Sequence, residues 1–125
     1  MSEPIHLSEL QIAVMRALWA RGEASVADVA SDLEAERGLA HTTVATLLTR
    51  LEKRGVVKHR RDGRQLMYRA LVTEDAVRTS MVADLLETLF KGDAKALVAH
   101  LVREEELAPG DLEKLRAKLK AAKRD

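Results

Sequence analysis

A chain of 125 residues, 46% of them apolar, can hold one domain, or one domain with an appended oligomerisation segment. It contains no cysteine, which excludes a disulfide framework and a thiolate metal site. No apolar run approaches the ~18 residues of a membrane span and the N-terminus lacks a signal-peptide pattern, so the expected location is cytoplasmic, without membrane insertion.

The net charge of +1 conceals a division. Residues 1–36 carry two basic and seven acidic side chains, a balance of −5, whereas residues 37–70 carry nine basic and two acidic, a balance of +7; the remainder sums to −1. The middle block is what a phosphate-binding face requires. Only Trp19, Tyr68 and Phe90 are aromatic, so the core must be aliphatic.

Ser8 reads as the N-cap of a first helix, with Gln11 as its capping-box partner. Leu10, Val14 and Leu18, then Met15 and Trp19, recur at helical spacing until Gly22. Ser25 caps a shorter second helix with Asp28 in the capping-box place, and Val26, Val29, Ala30 and Leu33 facing inward. Acidic groups cluster near this helix, which makes it a poor DNA-facing element. After the break at Arg37-Gly38-Leu39, a third helix buries Val44, Leu47, Leu48 and Leu51, and Gly55 closes it as a C′ residue. Its other faces carry His41, Thr42, Thr43, Ala45, Thr46, Thr49, Arg50, Lys53 and Arg54.

A β-hairpin follows from Val56 to Leu71. Asp62-Gly63 is expected to form a two-residue type I′ turn, pairing Arg61 with Arg64, His59 with Leu66 and Val57 with Tyr68. Alternation then places Val57, Leu66 and Tyr68 inside, and Lys58, Arg60, Gln65, Met67 and Arg69 outside. Three helices and a hairpin in this order make a winged helix-turn-helix.

Thr73 caps a long helix carrying Val77, Met81, Val82, Leu85, Leu86, Leu89 and Phe90, ended by Lys91-Gly92. A second helix from near Asp93 carries Leu97, Val98, Leu101 and Val102 before the acidic run Glu104 to Glu106. Pro109 suits the first turn of a third, with Leu112, Leu115 and Leu119 on one face and a Lys/Ala-rich, frayed end. Three short helices cannot cover such stripes by themselves, and a partner subunit is the expected cover. The fold class is therefore mainly α with a small hairpin wing: a winged-helix DNA-binding domain over residues 1–72 and a helical dimerisation region over residues 73–125.

Threonine is a mediocre helix former, so its clustering on an exposed face points to use. Thr42, Thr43 and Thr46 can meet phosphates or base edges, Ala45 permits close approach, and Arg50 can reach a guanine or a phosphate. His41 reads as a further polar contact, and Arg60, Arg61 and Arg64 as phosphate or minor-groove contacts of the wing. The four histidines are scattered, with no pair at metal-ligand spacing, and no phosphate loop or nucleophile elbow occurs, so no enzyme activity, metal or cofactor is expected. The competing reading is a winged-helix module that binds protein; the threonine cluster and the +7 block argue against it, since protein-binding faces favour aromatic and aliphatic anchors.

The runs Leu7-Ser8-Glu9-Leu10-Gln11…Met15…Leu18-Trp19, Thr43 to Leu51 with Lys53-Arg54-Gly55, and Arg61-Asp62-Gly63-Arg64…Tyr68 together resemble the BlaI/MecI/CopY family of bacterial repressors, over about residues 5–119. The resemblance implies a homodimeric winged-helix repressor bound to a palindromic double-stranded operator. It places Thr43, Thr46 and Arg50 on the operator-reading helix and Arg60 to Arg64 on the wing. It also gives the C-terminal helices the dimer contacts, here Val77, Met81, Leu85, Leu89, Leu97, Leu101, Leu112 and Leu115. Lack of cysteine excludes the copper-sensing branch's chemistry. In the β-lactam-responsive branch a sensor protease cuts an Asn-Phe pair. The matching position here is His100-Leu101, so a cut there calls for a protease of different specificity.

Overall fold

The computed structural model describes residues 4–123; Met1 to Glu3 and Arg124-Asp125, the outer ends of the two expected domains and of the frayed C-terminus, lie outside the described residues. The helices are α1 (Glu9–Arg21), α2 (Val26–Arg37), α3 (His41–Lys53), α4 (Glu74–Phe90), α5 (Ala94–Arg103) and α6 (Asp111–Lys123). The strands are β1 (Ala24–Ser25), β2 (Val57–Asp62) and β3 (Gln65–Ala70), in sheet order β1-β3-β2. Two compact units result, one running to Met81 and the other starting at Val82.

Local signals set the helix boundaries. The Gln11 amide donates to Ser8 Oγ at 3.2 Å while the Ser8 amide donates to Gln11 Oε1 at 2.9 Å, and Ser25 and Asp28 repeat this reciprocal cap at 3.0 and 3.1 Å. α3 ends in a Schellman motif: the Gly55 amide donates to Glu52 O and the Val56 amide to Leu51 O, with Gly55 at φ +79°. Thr73 caps α4 through a 3.0 Å bond from the Ala76 amide. Pro109 is not in the first turn of α6. It lies ahead of Gly110 in a turn where the Ala108 amide donates to Asp111 Oδ2 at 2.7 Å, and the helix begins at Asp111.

The first unit packs α1, α2 and α3 against the sheet around an aliphatic core. Val14, Met15, Leu18, Val29, Val44, Leu48, Leu51 and Val57 are shut off from solvent, and Tyr68 joins them from β3. Trp19 Nε1 donates to Val72 O at 2.9 Å, tying α1 to the segment before α4. The Ile5 amide donates to Ser80 Oγ at 2.7 Å. Val77 is buried in this core and Met81 is packed against it, so the first unit takes in the opening turns of α4.

Two features of the sheet differ from the expected hairpin. β1 adds a third strand, pairing Ala24 with Tyr68 and Ser25 with Met67. The hairpin register is Val57↔Ala70, His59↔Tyr68, Arg61↔Leu66 and Asp62↔Gln65, so the turn residues are Gly63 and Arg64. Positive φ falls on Gly63 (+64°) and not on Arg64, the II′ rather than the I′ pattern. Glycine takes the left-handed position without strain, whereas I′ geometry one residue earlier would have forced Asp62 there as well. The slip is two residues, so each side chain keeps its face: Val57 and Tyr68 are buried, and Lys58, Arg60 and Arg69 are exposed.

In the second unit no described residue after Val77 is fully buried, while Val82, Leu85, Leu89, Val102, Leu112, Leu115 and Leu119 are exposed.

Leu48→Ala removes a side chain with no exposed surface from the middle of the core. It should lower the unfolding free energy by about 2–5 kcal/mol in urea denaturation. An unchanged midpoint would place Leu48 outside the cooperative core.

Candidate nucleic-acid interface

Burial of Val44, Leu48 and Leu51 turns the opposite face of α3 to solvent. His41, Thr42, Thr43, Thr46 and Arg50 are exposed there, and Ala45 is half-buried. Unlike α1 and α2, α3 begins without a side-chain cap, because Ala40 occupies the N-cap position. The Thr43 amide bonds to Ala40 O, which leaves the His41 and Thr42 amides and the positive end of the dipole to favour an anion.

The threonines differ in what they can offer. Thr46 Oγ1 donates to Thr42 O at 3.0 Å and Thr49 Oγ1 to Ala45 O at 2.9 Å, so their hydroxyl protons are engaged along the helix. Thr46 is left with lone pairs for an adenine or cytosine amino group and a methyl for a thymine. The hydroxyls of Thr42 and Thr43 have no partner among the described residues and are the ones able to donate to phosphate. Arg50 likewise has no ion pair among the described residues.

The wing tip stands beside the start of α3. Ser25, Val26, His41, Arg64 and Leu66 line an open recess of about 370 Å³ between the beginnings of α2 and α3 and the hairpin turn. Arg61 and Arg64 are exposed without described ion pairs. Arg60 is not free. Its Nε and Nη2 donate to Glu23 Oε2 and Oε1 at 2.8 and 2.6 Å. That fork holds the Glu23 carboxyl below its ordinary range, helped by the charge of Arg69, and raises the Arg60 guanidinium further. Glu23 escaped the sequence reading because β1, which brings it to the sheet, is two residues long and leaves no periodicity to detect.

Among the residues expected at a dimer contact, Val77 is only 3% exposed and belongs to the first unit's own core, and Met81 packs against that core. Leu85, Leu89, Leu112 and Leu115 are exposed, and Leu97 and Leu101 half-buried. His100 and Leu101 lie inside α5, with the His100 ring set edge-on to Phe90 at 6.0 Å. Among the described residues no cluster of His, Asp or Glu could hold a metal ion, and no helix is long and apolar enough to cross a membrane.

The family model described as penicillinase repressor matches residues 7–121. The chain is 27% identical over 110 residues to the methicillin resistance regulatory protein MecI of Mammaliicoccus sciuri, covering 88% of this chain and 89% of that one. It is 36% identical over 104 residues to the transcriptional regulator BlaI of Mycobacterium tuberculosis, covering 82% and 75% respectively. The solution structure of monomeric Bacillus licheniformis BlaI in complex with the blaP half-operator superposes with a TM-score of 0.52 at 25% identity, over 61% of this chain and 93% of that one.

One seam joins α3 to the hairpin. His59 Nδ1 and Glu52 Oε1 are 2.7 Å apart, and the His59 ring lies 5.4 Å from that of Tyr68. Burial raises the Tyr68 hydroxyl above its ordinary pKa, the Glu52 carboxylate pushes the same way, and a hydrogen bond with Thr49 partly opposes both. The unfolded chain thus loses this proton first, at about pH 10. The neutral hydroxyl's contribution to stability is complete below that pH and is lost as pH climbs from there through the folded value. Unfolding midpoints should fall in that window, and Tyr68→Phe should flatten the fall relative to the parent. Parallel alkaline profiles for the two would show that Tyr68 does not contribute.

Proposed function

The chain belongs to the penicillinase repressor family, and from that premise we propose that it is a sequence-specific DNA-binding repressor acting as a homodimer on a two-fold operator. The observation that carries this reading is the uncapped start of α3, with its Thr/Arg face exposed beside a basic wing. Such a helix fits the major groove, and Thr42, Thr43, Ala45, Thr46 and Arg50 are the side chains set to meet base edges and nearby phosphates. His41, Arg61 and Arg64 supply contacts to the backbone, which fix register and affinity. That the structural relative was solved in complex with a half-operator supports DNA as the partner of this unit. In a two-fold dimer the reading helices lie about 34 Å apart, or a multiple of that, one duplex turn. The protein is a cytoplasmic regulator rather than an enzyme.

The dimer contact is assigned to the second unit, through Leu85, Leu89, Leu97, Leu101, Leu112 and Leu115. These stripes have no cover within the chain sufficient to bury any of them fully. Proteolytic relief fits the same region: a sensor protease cutting between His100 and Leu101 would detach α6 and the end of α5 from the DNA-binding unit.

Fluorescence anisotropy against fragments flanking the protein's own gene, with scrambled competitor, tests the reading. Specific binding that falls by roughly three to five decades between about 50 and 200 mM salt is expected for six to ten phosphate contacts. Binding no better than to scrambled DNA overturns it. Arg50→Ala should weaken operator binding by roughly 1–3 kcal/mol and relax discrimination at one base pair; a uniform loss over all sequences would assign Arg50 to phosphate instead. Leu85→Asp should shift sedimentation from dimer to monomer while leaving the first unit folded, and a persistent dimer would move the interface elsewhere.

A further inference from the structure

The outer face of the sheet is built against simple electrostatics. Lys58 and Arg69 stand directly opposite one another across β2 and β3, and Arg60 lies on the same face opposite Met67. Like charges at directly paired positions destabilise a sheet. Glu23, at the entrance to β1, is placed among these cations: it grips Arg60 by two hydrogen bonds and its charge is felt by Arg69. The carboxylate takes the Nε–Nη2 edge of the guanidinium and leaves Nη1 and one Nη2 proton available. Arginine otherwise loses substantial rotamer freedom when it docks on a phosphate, and a fork that already fixes the planar group removes much of that loss before DNA arrives.

We propose that Glu23 is a positioning residue of the DNA face, holding Arg60 so that its remaining guanidinium edge meets a phosphate of the operator backbone. This rests on the repressor reading above. Its consequence has the opposite sign to what charge alone dictates. Removing a carboxylate from a DNA-facing surface should tighten binding through weaker repulsion. Removing this carboxylate should loosen it.

The test uses the full chain, the operator fragment and four proteins: the parent, Glu23→Gln, Arg60→Ala and the double variant. Glu23→Gln should weaken binding roughly threefold to tenfold in the parent, and that loss should disappear in the Arg60→Ala background, since two groups acting as a unit do not add. Glu23→Asp, which keeps the charge but shortens the reach, should also weaken binding. A slowly exchanging Arg60 Nε–H resonance should be present in the DNA-free parent and absent from Glu23→Gln. Tighter or equal binding by Glu23→Gln, or the same loss with and without Arg60, overturns the proposal while leaving the repressor reading intact. Failure of the parent to prefer operator over scrambled DNA overturns both, and the nitrogen resonance then reports the ion pair as a purely structural staple.

Discussion

Val44, Leu48 and Leu51 are sealed from solvent in one stripe of α3, and that burial sets the rotation of the helix about its own axis. Each side chain removed from water is worth about 1.5–3 kcal/mol, so turning the helix to present another face would cost several times the worth of any surface contact. The polar face is therefore fixed by what lies behind it. Among the described residues, the side chains of Thr42, Thr43 and Arg50 stand there without a hydrogen-bond or ion-pair partner, and Thr46 bonds only to the Thr42 carbonyl. A site held this way can leave its hydrogen-bonding groups unpaired until a ligand satisfies them, because the core and not the site carries the stability.

The wing is held differently. Its hairpin is tied to the rest of the first unit by Val57 and Tyr68 on the inner face, by pairing with β1, and by the Glu52–His59 contact to the last turn of α3. Leu66 packs against the core two residues from the turn, and the Glu23 fork holds Arg60. Arg61 and Arg64 are nonetheless exposed at the tip of the two-stranded ribbon, which suits contacts to a backbone that is uniform in charge and forgiving in geometry. On the proposed reading, sequence discrimination belongs to the helix and affinity to the wing.

How legible each feature was follows from the range of the interaction that decides it. Capping boxes at Ser8 and Ser25, the Schellman end at Gly55 and the α3 stripe are written within four to six residues of sequence, and all stand in the structure. The hairpin's faces were readable because alternation survives a slip of two, whereas its register was not: Asp62-Gly63 and Gly63-Arg64 are both plausible turns, and the choice depends on which residue bears positive φ. β1 pairs with the distant β3 and the Glu23–Arg60 fork joins residues 37 apart, and no local pattern announces such meetings. Val77 illustrates a further limit. Its place in the long helix suggested a face shared with Leu85 and Leu89, but the opening turns of α4 serve the winged-helix core.

The second unit obeys another logic. α5 and α6 have no fully buried described side chain, so little within the chain opposes their local opening. In the proposed dimer the partner supplies the missing burial, which makes the order of this region depend on protein concentration. The His100–Leu101 bond sits in the helical backbone of α5, and a protease needs an extended strand. On the proposed reading, the bond would be best protected while the subunits remain paired and most accessible once they part. A cut there would then remove the elements that restore the proposed pair. Two tethered reading units gain affinity from the effective concentration of the second after the first has bound, and a severed chain keeps only the affinity of a single half-site. On the proposed reading, a single cut within the second unit would in this way release the operator without altering any residue of the first.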